Sequence, residues 1–243
     1  MNNYPTLRNA PIVEALIDIR AKVSSACDIN KLEVFYDSVK EQYPEKHEHM
    51  TSGFEIHQAK DVKHLNTNVI GYRYLSADKK QVVQTKLDGF TFSRLYPYER
   101  WGNLRDEAKK LWSIYLNVAE PELISRIALR YINSIKLQMP VNLEDYFKTP
   151  PSVPEGLPQT LNGYFYRISI YNEQVDANAI ITQALEPSIL GAKEAQIILD
   201  IDVFRYRQDG IVEDIWDEME RLCSFKNKVF FSSITDKLKE MYL

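Results

Sequence analysis

The 243-residue chain sets 30 Lys and Arg against 34 Asp and Glu, a net charge of −4 that argues against bulk attraction to nucleic acid or an anionic membrane while leaving room for a local basic groove. Its 44% hydrophobic and 26% charged content belong to a chain that can bury a core, and no apolar run approaches the ~20 residues that span a bilayer. Residues 1–8 lack the basic and apolar segments of a secretory leader, and Cys27 and Cys223 fall at no metal or redox spacing, so a cytoplasmic setting with two reduced thiols is expected.

Residues 12–23 alternate as a strand does. Ala15, Ile17, Ile19, Ala21 and Val23 share one face; Glu14, Leu16, Asp18, Arg20 and Lys22 share the other. Asp28 stands where a helix cap belongs, before an apolar stripe of Leu32, Phe35, Tyr36, Val39 and Tyr43 that Pro44 ends. Three strands are predicted next, at about 50–59, 68–76 and 80–95, followed by a helix opened by Pro97 in which Trp101, Leu104, Ala108, Leu111 and Tyr115 recur three and four apart.

The second half begins with a predicted strand over 123–139. A Pro-rich passage then holds Pro140, Pro150, Pro151, Pro154 and Pro158, with a short helical candidate at 143–147. Strands at about 163–172, 177–186 and 194–207 follow. The chain ends in a helical run over 211–242 with the stripe Ile215, Met219, Leu222, Val229 or Phe230, Ile234 and Leu238. Such a helix would span ~45 Å, so a bend near Ser232-Ser233 is expected.

Both halves thus read in the same order. The fold class expected is α+β: a tandem β-α-β-β-β-α repeat forming a curved, mostly antiparallel sheet gripped by long helices, a helix-grip or saddle-like arrangement. On this reading residues 1–243 are one compact domain made of two repeats, 9–120 and 121–243, the second interrupted by the Pro-rich insertion 140–161.

Four groups of residues carry candidate chemistry. All four His fall within an 18-residue window, and His47 and His49 on a strand would point the same way, as two imidazole ligands of Zn²⁺ need; no matched Cys, Asp or Glu completes a set, and polar residues on an edge strand explain them equally. Asp200 and Asp202 put two carboxylates on one strand face, a geometry able to hold a divalent cation and equally that of any half-exposed strand backed by Leu199, Ile201 and Val203. With only 8 Gly and no phosphate-loop pattern, no nucleotide motif accompanies them.

Arg126, Arg130 and Lys136 share a face of the strand that opens the second half, as Glu14, Asp18 and Arg20 do in the first. If those strands pair, the rows either form a polar groove for a phosphate or acidic peptide, or neutralise one another in cross-strand ion pairs. Cys/His or Ser/His/Asp catalysis finds little support, since neither Cys is near a His in sequence.

Several strings taken together are distinctive: Asn9-Ala10-Pro11-Ile12-Val13-Glu14-Ala15; Phe92-Ser93-Arg94-Leu95 with Tyr98 and Trp101; Arg126-Ile127-Ala128-Leu129-Arg130-Tyr131-Ile132-Asn133; Leu199-Asp200-Ile201-Asp202; and Phe230-Phe231-Ser232-Ser233-Ile234-Thr235-Asp236. This pattern resembles a sporadically distributed family of uncharacterised prokaryotic proteins of about this length, across nearly the whole chain. The resemblance implies no activity, cofactor or catalytic residue. Its patchy distribution implies an accessory gene, such as a phage-defence or toxin–antitoxin module. Some members carry a His in the last helix where this chain has Leu222-Cys223, so no role of that His carries over.

Physical reasons for the strings are available. Pro11 would fix the start of an edge-proximal strand, Arg94 could sit over the Trp101 indole at a strand-to-helix corner, and Asn133 could satisfy a bulge or buried turn. The functional expectation is a non-enzymatic binding protein or partner subunit without cofactor, recognising its ligand through the open sheet face (Glu14, Arg20, Arg94, Arg126, Arg130, Asn133) or the Pro-rich segment. A protein partner or homodimer is expected, and no membrane. The alternatives are a metal-dependent nucleic-acid- or nucleotide-acting enzyme using Asp200 and Asp202, and a non-catalytic nucleic-acid saddle.

Overall fold

The structure, a computed structural model, describes residues 4–53, 66–185, 193–207 and 215–243. Among the described residues, nine strands form one antiparallel sheet: β1 (Ile12–Val23), β2 (Glu45–Gly53), β3 (Asn66–Leu75), β4 (Gln81–Lys86), β5 (Gly89–Leu95), β6 (Pro121–Gln138), β7 (Tyr164–Asn172), β8 (Ala177–Leu185) and β9 (Glu194–Tyr206). Their spatial order is β2-β3-β4-β5-β1-β6-β9-β8-β7. The α-helices among the described residues are α1 (Ile29–Glu33), α2 (Phe35–Val39), α3 (Trp101–Ala119), α4 (Trp216–Ser233) and α5 (Asp236–Glu240).

This corrects the expected architecture. The molecule is dominated by its sheet, and the helices do not grip it: among the described residues only α3 and α4 exceed five residues, and they patch one face. Nor do the halves match strand for strand, because five strands precede α3 and four follow it. The extra strand comes from residues 80–95, read as one strand and in fact a hairpin. Lys86 pairs with Gly89 across the two-residue turn Leu87-Asp88. Gly89 has φ +148°, and a Cβ there would come within 2.1 Å of the Ile19 carbonyl oxygen on the neighbouring strand, so the reversal depends on glycine.

Other boundaries fall close to their predicted places, notably β3 and β7 to β9. Asp28 caps α1, its carboxylate accepting from the Lys31 amide at 2.8 Å. The first helix breaks at Val34 into α1 and α2. Of the strand predicted at 50–59, residues 54–59 lie outside the described residues, as do His57 and His64. The C-terminal helix is interrupted at Ile234, one residue beyond the expected bend, and Thr235 caps α5 by accepting from the Leu238 amide.

The core lies between the sheet and the helices. Ala15, Ile17 and Ile19 of β1 and Ile127, Leu129 and Tyr131 of β6 pack beneath α3 and α4. Strand β1 sits at the centre of the sheet, which corrects the edge-proximal place expected for Pro11; the Pro11 carbonyl accepts from the Ser134 amide at 2.8 Å. Among the described residues the opposite face carries no helix, and there the charged rows of β1, β6 and β9 lie side by side. Among the described residues, no helix is long and apolar enough to cross a membrane.

Candidate functional site

The open face brings together most of the charged residues marked in the sequence, and register explains how. Asp18, Ala128 and Phe204 stand in one row across β1, β6 and β9. Ala128 is small, so the Arg126 side chain folds over it. Its guanidinium donates to Asp18 at 3.1 Å on one side and to Asp202 at 3.0 Å on the other, 4.4 Å from the Phe204 ring centroid. Asp18 is buried and further held by the Thr91 hydroxyl at 2.8 Å, Arg20 Nε at 3.2 Å and Lys86 Nζ at 3.9 Å. Arg20 also donates to Asp88.

Arg130 repeats the lean along β6. It pairs in fork geometry with Asp200, Nε to Oδ1 at 2.9 Å and Nη2 to Oδ2 at 2.6 Å, and this hydrogen bonding raises its pKa. Glu14, on the same face of β1, adds to the field that favours the charged form of Arg130. Desolvation raises the Asp202 pKa, opposed by Arg126 and Arg130. The two aspartates therefore meet the two arginines, but as partners in ion pairs. Of the two readings of these rows, the cross-strand pairing is the one the side chains adopt.

The remaining candidates separate. His47 and His49 lie on the outer strand β2, where His47 Nε2 is 2.8 Å from Glu45 Oε1. Among the described residues, no group of three or more His, Cys, Asp and Glu is placed to hold a metal ion. Arg94 faces the helices and donates to Glu99 at 2.9 Å, while the Trp101 indole donates to Glu220 at 2.9 Å, so the expected cation-over-indole corner gives way to two separate polar contacts. Asn133 does stand at a bulge, where the β1–β6 register shifts between Ile12 and Glu14.

Asn133 also opens onto a feature the sequence reading missed. Under α4, beside the N-terminal segment, lies a cavity of ≈ 200 Å³ walled by Leu7, Pro11, Tyr98, Tyr131, Cys223 and Phe230. The segment is laid over α4 by stacking of Tyr4 on Phe231, centroids 4.7 Å apart, and by the Arg8 amide donating to the Tyr242 carbonyl at 2.8 Å. Lys226 reaches into this cavity and is 9% exposed. Its Nζ lies 3.8 Å from the Tyr131 ring centroid and donates to Asn227 Oδ1 at 2.6 Å, with no carboxylate within 4 Å among the described residues. Burial pushes its pKa down to about 8 and pushes the Cys223 thiol up.

Asn133, 1% exposed, gives Nδ2 to the Leu199 carbonyl at 2.9 Å and leaves Oδ1 without a partner among the described residues. The hydroxyls of Tyr98 and Tyr131 are 3.2 Å apart, and desolvation raises both pKa values. A signal for Lys226 was present in the sequence. Met219, Leu222, Cys223, Val229 and Phe230 define the buried stripe of α4, and 226 falls on it. Compared with known proteins, the chain matches no family model and no curated protein.

Proposed function

We propose that the chain is a non-enzymatic binding protein that works as a partner subunit, joined along β7 to a second copy of itself. The observation that carries this reading is the state of β7, the outermost strand on one side of the sheet. Phe165 is 71% exposed, Tyr171 57%, and Ile168 and Ile170 each 41%, so a nine-residue edge offers apolar side chains on both of its faces. An edge of this kind is a template for strand pairing.

The opposite edge differs in kind. Strand β2 begins Glu45-Lys46-His47-Glu48-His49, a charged border that discourages pairing. A head-to-tail union of β7 with β2 would set aromatic residues against charges. A twofold union of β7 with its own copy suits the sequence better. Antiparallel pairing centred on Ile168 puts Phe165 opposite Tyr171 and Arg167 opposite Ser169, twice each, and opposes no like charges.

The paired state of Asp200 and Asp202 supports a binding role over metal-dependent phosphoryl chemistry, because each carboxylate already serves an arginine. We further propose an accessory setting of the phage-defence or toxin–antitoxin kind, a reading that rests on the sequence strings alone. Sedimentation equilibrium tests the subunit reading: the wild-type chain should run at twice 28.3 kDa, and the double substitution Phe165→Lys, Tyr171→Lys at once that mass with the fold retained by circular dichroism. A wild-type monomer across the micromolar range overturns it.

A further inference from the structure

We infer that the crevice between the N-terminal segment, β6 and α4 is a binding site for a small carboxylic acid with a flat apolar body and a hydrogen-bond donor. Each part of that description comes from a wall of the cavity. The acid is called for by Lys226. An ammonium group this far from water is costly unless an anion meets it, and among the described residues it has only the Tyr131 π face and the neutral Asn227 amide.

The nearby acidic groups are already engaged. Glu99, which lines the cavity, accepts from Arg94 at 2.9 Å, and Glu220 accepts from Trp101 at 2.9 Å and Arg105 at 2.7 Å. The other cation at the rim, Arg100, gives its Nε to Asn103. A single buried ammonium, with the N-terminus of α3 (Arg100, Trp101) also on the cavity wall but no glycine-rich loop among the described residues, carries one charge and so suits a carboxylate monoanion better than a phosphate.

The donor is called for by Asn133. Its amide nitrogen is committed to the Leu199 carbonyl, which fixes the oxygen as an acceptor, and on this residue of the cavity wall that oxygen has no partner among the described residues. A ligand hydroxyl or amine would satisfy it. The apolar body is called for by Leu7, Pro11, Ile12, Tyr98 and Phe230, and ≈ 200 Å³ suits a one-ring molecule better than a nucleotide. Four of the five distinctive strings of the sequence, otherwise remote from one another, contribute to this lining through Pro11, Tyr98, Asn133 and Phe230.

The test is calorimetric titration of the full chain with 4-hydroxybenzoate, its neutral counterpart 4-hydroxybenzamide, and benzoate, which lacks the donor. The acid is expected to bind one per chain, about tenfold or more tighter than the amide, and benzoate several-fold more weakly than the hydroxylated acid. Lys226→Met should lose at least tenfold in affinity for 4-hydroxybenzoate while keeping a cooperative melt. Absence of saturable binding by the acid, equal binding of acid and amide, or undiminished binding by Lys226→Met overturns the assignment. The acid–amide comparison on the wild-type chain decides the matter even if the variant does not fold.

Discussion

Strand β6 separates two environments that treat charge in opposite ways. On its open face, Arg126 and Arg130 lie in a row where every lean of a guanidinium ends on a carboxylate: Asp18 and Asp202 for one, Asp200 for the other. On its covered face, Tyr131 lies under Lys226, a cation with no carboxylate within reach among the described residues, and Asn133 holds an acceptor with no donor. Matched charges on a sheet hold strands in register and have little left for a ligand. An unmatched charge buried in the wall of a crevice is a cost to the folded chain that a ligand can relieve. The difference teaches where to look: the conspicuous charges of the sequence are structural, and the inconspicuous lysine is the chemically available one.

The contrast can be broken most forcefully at Asp18. Removing its carboxylate in Asp18→Ala leaves Arg126, Arg20 and the buried Lys86 without a shared anion, and a loss of about 3–5 kcal/mol in urea unfolding is expected. A loss below about 1 kcal/mol would show that the open-face network does not hold the strands.

On the covered face the sign reverses. Lys226→Met should stabilise the chain by about 2–3 kcal/mol at pH 7, since an apolar side chain replaces a desolvated cation. The pH dependence follows from the depressed pKa. Between about 8 and the ordinary 10.5 the unfolded chain holds a proton that the folded chain has released, so wild-type stability rises with pH through that window. The advantage of Lys226→Met is therefore full below pH 8 and fades by pH 10.5, as paired unfolding curves would reveal; an advantage independent of pH would assign it to packing instead.

Smaller effects sharpen the same contrast. Asp200→Asn keeps one hydrogen bond to a half-exposed Arg130, and solvent screening limits the loss to about 1 kcal/mol in thermal unfolding. His47→Ala on the outer strand should change stability by no more than about 0.5 kcal/mol, and equilibrium dialysis should find no zinc dependent on it.

The sequence made the alternating strands legible because polar and apolar residues divide cleanly between two faces, as in β1 and β9. It also placed the partners of the ion pairs, since residues two apart on a strand must share a face. The hairpin at Gly89 was missed although Asp88-Gly89 is a strong turn signal, because apolar residues on both sides of it run on as one strand. That miss produced a repeat with four strands in each half in place of the nine strands of the described sheet.

The crevice lay further out of reach, because its walls come from residues near 5, 98, 131 and 230 and no local pattern joins them. Lys226 alone could have been flagged, as the one charge on an apolar stripe. In sequence it reads as part of Lys226-Asn227-Lys228, a solvated turn of helix.

The titration of Lys226 itself bears most directly on this contrast. With lysine labelled at Cε, its NMR shift can be followed against pH in the free protein, Lys226→Met supplying the assignment. An isolated, desolvated ammonium should lose its proton with a midpoint near 8, and 4-hydroxybenzoate should move that midpoint upward. A midpoint in the ordinary lysine range, unmoved by the acid, would mean that Lys226 is solvated or already paired, and the distinction between the two faces of β6 would fall.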